Sequence, residues 1–311
     1  MAYLPYLIII GIIGFILSLW YHRKTNRLVQ IIIAVTVFIG VGVYATESLN
    51  PKVEPSETIV TVTFIDVGQA LSVLIRDNLG NDILYDGGNN QDAPFLIDYF
   101  QDLKIDDFET VIASHFHEDH IGGLDDILAQ YKVDMILMPS IPYNTDDCDN
   151  LISVIDTEHI VRQAIKPNLV IKVGEISLKL IGPNTDFKDI NSQSLMIQVI
   201  FQDKRILLTG DGTVAAEKLI LNQNIQSDII QIAHHGSHTS SSKAFLSAVS
   251  AQYAIVSVGL DNTYGLPDED IIKRIHDLDM TLYRTDLMGS IIFTIKQNTI
   301  TVNTYPTIGN K

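Results

Sequence analysis

Ser114-His115-Phe116-His117-Glu118-Asp119-His120 is the stretch that decides how this chain is read. Counted from His115, three imidazoles and two carboxylates fall within six positions. These are the ligand types that hold Zn²⁺ or Mn²⁺. His115 and His117 are two residues apart, so in an extended segment both point to one side. Asp119 and His120 follow where the chain turns into a helix ahead of Ile121-Gly122-Gly123-Leu124, and reach a second point close by. That spacing suits two metals better than one. The bland alternative is a charged loop capping a helix. Against it, six of the nine histidines lie in two short clusters, His115/His117/His120 and His234/His235/His238.

Outward from this stretch the pattern is α/β. Thr110–Ser114 reads as a buried strand running straight into the histidines. Strand-like runs precede it at Thr58–Asp66, Leu71–Arg76 and Asp82–Asp86, punctuated by Gly68, Asn78, Gly80 and Asn81, with a helix at Ala93–Leu103. In the second half, strands are expected at Glu175–Ile181, Ser194–Gln202, Arg205–Thr209, Asp228–Ala233, Tyr253–Val258, Ser290–Lys296 and Ile300–Thr304. Helices are expected at Thr213–Leu221, Ser242–Val249 and Glu269–Leu278. A hairpin-rich sheet followed by mixed strands and helices predicts two sheets covered by helices.

The His-x-His-x-Asp-His string after a buried strand resembles the signature of the metallo-β-lactamase superfamily. Five further segments agree in order: Phe64–Gln69, Leu84–Gly88, Asn191–Met196, Leu207–Asp211 and Gln231–Ser237. Together they are similar to the extracytoplasmic hydrolase domain of the ComEC competence family, over roughly residues 58–305. The resemblance implies an αββα four-layer sandwich with two divalent ions, Zn or Mn, at the edge between the sheets. It implies His115 and His117 on metal 1, Asp119, His120 and a histidine of the His234-His235 pair on metal 2, and Asp211 bridging. His235, directly before Gly236, is preferred as the ligand. His234 would then orient a ligand or face substrate. Asp86 would orient a ligand imidazole. The superfamily's third-motif histidine on metal 1 is missing: Asn191 or Ser194 stands in that neighbourhood, which argues against true β-lactamase activity. Gln69-Ala70-Leu71 also departs from the Gln-Gly-Asp-type turn of relatives. Asn191 is read either as a backbone-bonding loop residue or as a catalytic contact.

The chain carries 21 Lys+Arg and 37 Asp+Glu, a net charge of −16 over 311 residues. No acidic residue precedes Glu47, and residues 1–46 hold three basic residues, Arg23, Lys24 and Arg27. Setting those three aside leaves 18 positive and 37 negative charges, or −19, on residues 47–311. Ala2–Trp20 and Leu28–Thr46 are uncharged runs of 19 residues each, close to the roughly 20 that cross a bilayer. They predict a transmembrane helical hairpin, with its basic loop cytoplasmic by the positive-inside rule. A signal peptide would need a basic region before the apolar run, and Met1–Pro5 has none. The expected organisation is therefore membrane helices at 2–20 and 28–46, a Pro-containing tether at 47–57, and a hydrolase domain at 58–311 outside the cytoplasm at the cell membrane. With 46% apolar residues disorder is excluded, and the acidity excludes a DNA-coating protein. A single cysteine, Cys148, excludes an intramolecular disulfide framework and a cysteine-based zinc finger.

The expected function is a membrane-anchored metal-dependent phosphodiesterase, a nuclease of ComEC type, whose metal pair activates a water. Asp119 would orient or deprotonate that water, and His234 or His238 would protonate the leaving oxygen. Single-stranded DNA is the candidate substrate. The acidity favours short strands, or an envelope hydrolase acting on a small or polymer-linked phosphodiester. A third reading is a catalytically weak, membrane-tethered binding component of a DNA-uptake system. Two expected spans cannot form a DNA pore alone, so uptake would require an oligomer or partner membrane proteins.

Overall fold

The computed structural model describes residues 57–140, 142–166, 168–183 and 187–305. The expected hairpin at 2–20 and 28–46, and the tether up to residue 56, lie outside the described residues. Among the described residues no helix is long and apolar enough to cross a membrane.

The first sheet begins as an antiparallel meander of β1 (Val60–Phe64), β2 (Val73–Asp77) and β3 (Asp82–Tyr85). It continues in parallel through β5 (Thr110–Ile112), β7 (Met135–Leu137) and β8 (Val161–Arg162). Between these, β4 (Asp107–Phe108) and β6 (Lys132–Val133) form a small separate pair. The second sheet mirrors this plan. An antiparallel run of β9 (Val170–Val173), β10 (Ile176–Gly182), β11 (Met196–Phe201) and β12 (Lys204–Leu208) leads to parallel β13 (Ile229–Gln231), β14 (Tyr253–Val256) and β15 (Thr281–Arg284). The hairpin of β16 (Ser290–Lys296) and β17 (Thr299–Tyr305) returns to the first sheet beside β1.

Strand alternation explains the layering. In β3, Ile83 and Tyr85 enter the core between the sheets, while Leu84 faces out toward helices. In β12, Ile206 and Leu208 point inward and Leu207 outward. Both faces of each sheet are thus apolar and need cover. On the first sheet it comes from α1 (Ala93–Asp102), α2 (Glu118–Ile121), α3 (Leu124–Gln130) and α4 (Asp146–Thr157). On the second it comes from α5 (Val214–Ile220), α6 (Lys243–Val249) and α7 (Glu269–Asp277). A short α8 (Thr285–Met288) precedes the last hairpin. The result is the expected αββα sandwich. Phe64 and Phe293 meet edge-to-face in its centre, 6.1 Å between ring centroids.

The segments that carry the chemistry leave the carboxyl ends of three parallel strands, β5, β12 and β13, where α/β sheets commonly bind ligands. The segment after β3 packs tightly against the first of these. A Cβ on Gly122 would lie 2.4 Å from the Asn90 backbone nitrogen and 2.6 Å from the Glu118 carbonyl oxygen. Gly122→Ala must therefore prise α2 away from residues 89–90, at a cost of about 1–3 kcal/mol. The thermal unfolding midpoint of the variant falls accordingly; a midpoint equal to wild type would show that the two segments part freely.

Candidate metal centre

The sequence sets the local geometry. Ala113, Ser114 and His115 continue β5 as buried residues, and His117 is the extended residue before α2 (φ −85°, ψ 148°). His115 and His117 therefore sit on extended chain, whereas Asp119 and His120 sit in the first turn of a helix. The His115 Nε2 and His117 Nδ1 atoms lie 3.1 Å apart. From the opposite sheet Asp211 arrives on the turn after β12, with Oδ2 at 3.8 Å from His115 Nε2 and Oδ1 at 3.1 Å from His120 Nε2. His235, on the turn after β13, places Nε2 3.1 Å from Asp119 Oδ2 and 3.9 Å from Asp211 Oδ1. Two groups of three donors result, His115/His117/Asp211 and Asp119/His120/His235, each within 4.8 Å. Asp211 faces both.

Hydrogen-bond partners fix the imidazole tautomers. Asp86 Oδ2 accepts from His120 Nδ1 at 2.8 Å, and the Ser257 carbonyl accepts from His235 Nδ1 at 2.8 Å. Both rings thus aim Nε2 inward, the nitrogen that becomes a free donor when the ring is neutral. Ser114 donates its hydroxyl proton to Asp86 Oδ2 at 2.7 Å, so its oxygen accepts from His115 Nδ1 at 3.0 Å. Asp86 also receives the Ser114 backbone N–H at 2.7 Å. One buried carboxylate, itself in the left-handed region at φ 59°, thereby orients two metal donors.

The residues fit a divalent ion. His120 Nε2 and Asp211 Oδ1 are buried and lack a hydrogen bond of good geometry, although they face each other across 3.1 Å. Polar atoms left so at the bottom of a cleft are costly unless something charged lies among them. The protein groups alone already strain toward that balance. Burial pushes the His115 imidazole down, and neighbouring His120 adds to this, leaving it well below the usual histidine range. Burial works the same way on His120, but Asp211, Asp119 and Asp86 outweigh it and hold it high. Burial would raise Asp211; His120 and His235 outweigh that and hold it well below the carboxylate range.

Around the donors lies an open cleft of about 620 Å³, lined among others by Gln69, His117, Asp119, His234 and Tyr264. Among the expected catalytic residues, Asp119 stands in this lining, with its side chain 30% exposed. His234 lines it too, Nε2 3.7 Å from Asp211 Oδ2, with Nδ1 2.9 Å from Thr239 Oγ1. Asn191 backs His234, its Nδ2 3.4 Å from His234 Nε2. His238 is not in the lining. Its side chain is 71% exposed and its Nδ1 bonds Asp268 at 2.8 Å. The supports that sequence reasoning passed over are Ser114, Ser257 and Gln231. Gln231 accepts from Thr209 N and Oγ1 and donates to the Gly210 carbonyl, holding the turn that presents Asp211. A carbonyl such as that of Ser257 leaves no trace in sequence; Ser114 and Gln231 were visible only as neighbours of histidine motifs.

This fold and donor arrangement define the class: the chain belongs to the metallo-β-lactamase superfamily, whose family model matches residues 65–259. Solved structures agree at the level of fold. YhfI of Bacillus subtilis, a metallo-β-lactamase-fold protein, superposes with a TM-score of 0.52 at 12% identity, over 78% of this chain and 100% of that one. Within the class, the chain is related to competence proteins of the ComEC family. ComE operon protein 3 of Bacillus subtilis is 24% identical over 265 residues, and competence protein ComA of Neisseria gonorrhoeae 28% over 251. Each match covers 79% of this chain and 34% of the relative. Recombination protein 2 of Haemophilus influenzae is 29% identical over 238 residues, covering 74% of this chain and 28% of its own length. The chain thus spans about a third of the length of these relatives.

Because Asp86 orients His120 and, through Ser114, His115, Asp86→Ala lowers divalent-metal affinity by about 10–100-fold. Competition titration of the full chain against a chromophoric chelator measures this. Unchanged affinity would reduce Asp86 to a turn residue.

Proposed function

We propose that this chain is a membrane-anchored phosphodiesterase with two divalent ions, acting as a nuclease outside the cytoplasm. The observation that carries the reading is the pair of three-donor groups at the floor of an open, polar cleft, with Asp211 in the first and 3.1 Å from His120 of the second. The ions, Zn or Mn, would supply Lewis-acid charge for a phosphoryl group and lower the pKa of an attacking water. His115, His117 and Asp211 would hold one, and Asp119, His120 and His235 the other, with Asp211 between them. The chain's own residues do the rest. Asp119, part-exposed on the cleft side, orients the attacking water and takes its proton. His234, at the wall beside Asp211, delivers a proton to the leaving oxygen and is held in place by Thr239 and Asn191. His238 is set aside for that task, because Asp268 occupies its Nδ1 and the cleft lining excludes it.

Residues 2–20 and 28–46 would anchor the protein, with Arg23, Lys24 and Arg27 kept inside. The relatives named for competence motivate single-stranded DNA as the substrate, alongside partner membrane proteins for any role in uptake. The −19 charge and the acidic rim residues Asp92 and Glu118 favour short strands over a long tracked duplex. The same features keep a small or polymer-linked envelope phosphodiester as the second reading.

The test uses the full chain in detergent with Mn²⁺ or Zn²⁺, offered single-stranded DNA and a generic phosphodiester in parallel. EDTA abolishes hydrolysis, metal restores it, and His117→Ala lowers the rate by at least about 100-fold. Activity indifferent to EDTA, or full activity in His117→Ala, would sink the proposal. Cleavage of the generic ester alone would favour the envelope reading.

The adjacent histidines separate by a second measurement. His235→Ala loses bound metal. His234→Ala keeps its metal content and loses about 10²–10⁴-fold in kcat. Metal loss in His234→Ala would assign it to the ligand set instead.

A further inference from the structure

Tyr264 is the most exposed large hydrophobic side chain of the described residues, at 74%, and yet it lines the metal cleft. Burying such a ring is worth about 1.5–3 kcal/mol, so the fold forgoes a gain by holding it in water. It is not left there by a slack loop. The segment from Ser257 to Asp268 is tied down at both ends and in the middle. At its start, the Ser257 carbonyl accepts from the metal donor His235, and Val258 bonds Thr285 Oγ1 through both its N–H and its carbonyl. Gly259 N donates to Gln69 Oε1 at 3.1 Å, joining this loop to the other loop of the cleft wall. Across the loop's base, the Asn262 side chain donates to the Gly259 and Leu266 carbonyls at 3.0 and 2.7 Å and accepts from Leu266 N at 3.0 Å. At its end, Asp268 N donates to the Gly236 carbonyl at 2.9 Å. Pro267 packs so closely on Gly236 that a Cβ there would lie 2.4 Å from the proline Cβ.

The Asn262 side chain and much of the loop's backbone are spent on its own shape and on the turn that presents His234 and His235. What the loop brings to the cleft is one exposed aromatic ring, on a backbone anchored beside the metal donors. A solvent-facing ring beside a phosphoryl-binding floor is what a planar, unpaired base stacks on. A duplex hides its base faces, whereas a single strand offers them. The carboxylates of Asp92 and Glu118, in the same cleft, are acceptors for exocyclic amino groups of bases.

We propose that Tyr264 is a nucleobase-stacking platform that seats an unpaired base next to the metal centre and makes the site selective for single-stranded nucleic acid. This rests on the phosphodiesterase reading above and names its substrate class. Tyr264 acts by positioning, so the expected effect is on KM rather than kcat.

The full chain with Mn²⁺ is assayed on a single-stranded oligodeoxynucleotide and on an abasic strand of equal length, with the generic phosphodiester as a reference. Wild type shows the lower KM for the base-bearing strand. Tyr264→Ala raises that KM roughly 5- to 150-fold, the worth of one base on an aromatic ring, toward the abasic value. It leaves the abasic strand and the generic ester unchanged, and Tyr264→Phe keeps the wild-type preference. Metal content and melting temperature equal to wild type show that Tyr264→Ala is folded. Equal KM for the two strands in wild type, or a Tyr264→Ala effect shared by both, overturns the inference while leaving the phosphodiesterase reading in place. Hydrolysis of the generic ester with neither strand cut removes the nucleic-acid substrate and this inference together. No metal-dependent hydrolysis of any of the three removes both proposals.

Discussion

Asp211 is a buried carboxylate whose ion pairs are all with histidines, His115, His120, His234 and His235. No lysine or arginine shares in them. A carboxylate so placed is expensive unless cationic or hydrogen-bonding partners surround it. Its backbone N–H donates to Ser194 Oγ at 3.1 Å, and one of its oxygens is left for the imidazoles alone. Much of the seam between the sheets answers to this one group. The first sheet brings His115 and His120 to it after β5, and the second brings His234 and His235 after β13. Gly210 turns the chain at φ 52°, with Ser114 so close that a Cβ would meet its side chain at 2.9 Å. The two halves of the sandwich are therefore joined at their rim by charge as well as by the apolar core behind it. That rim carries the chemistry, while the core fixes where the rim stands.

Much of this was legible in the sequence, for physical reasons that can be named. The switch from extended chain to helix inside six residues is written in the string itself. His117 stands where the strand period ends, and Glu118 and Asp119 provide the acidic first turn that a helix N-terminus favours. The β-branched runs mark most of the sandwich strands within a few residues at their ends, but not β7, β9 or β15, where no strand was expected. Helix α4 was missed, although Cys148, Leu151 and Ile155 carry helical spacing, because its first turn holds Asp146, Asp147 and Asp149 and reads as loop. Strand β8 is two exposed residues, Val161 and Arg162, and owes its existence to a neighbour rather than to any local preference. Thr213, the first residue of an expected helix, stands at the N-cap of α5, but its hydroxyl bonds Ser192 at 2.6 Å and leaves the helix uncapped by side chain.

The choice between His234 and His235 shows where sequence stops. Both residues take left-handed backbone, φ 55° and 53°, and Gly236 follows at 85°. Three such residues in a row reverse the chain within a single turn, so adjacent side chains end on different sides of Asp211. Periodicity assumes a repeating backbone, and here there is none. The strain of two non-glycine residues in this region, of order 1–3 kcal/mol each, is sustained by bonds from Ser257, Thr239 and Asp268. The Tyr264 loop supplies two of those three residues, so the turn that aims His235 and the loop that displays the tyrosine stabilise one another.

The acidity of the domain then takes on a specific meaning. Several of its few basic residues are already paired with acids: Lys204 with Asp228, Lys273 with Asp277, Arg284 with Asp286, and Lys132 with Asp107 and Asp134. Such surface pairs contribute little to stability, but they lower the number of free cations that would track a phosphate backbone. A polyanion approaching within a Debye length, about 8 Å at physiological salt, meets repulsion that only metal charge at the Asp211 seam would offset. On the proposed reading, affinity in such a site would not grow with the number of phosphates bound. It would come from one phosphoryl group at the metal donors and from contacts that carry no charge, and the aromatic ring of Tyr264 in the cleft lining is a contact of that kind. Local attraction set in a repulsive surround would then select a single flexible strand over a duplex, since only the strand can bring one phosphate down to the floor while keeping its remaining charges in solvent.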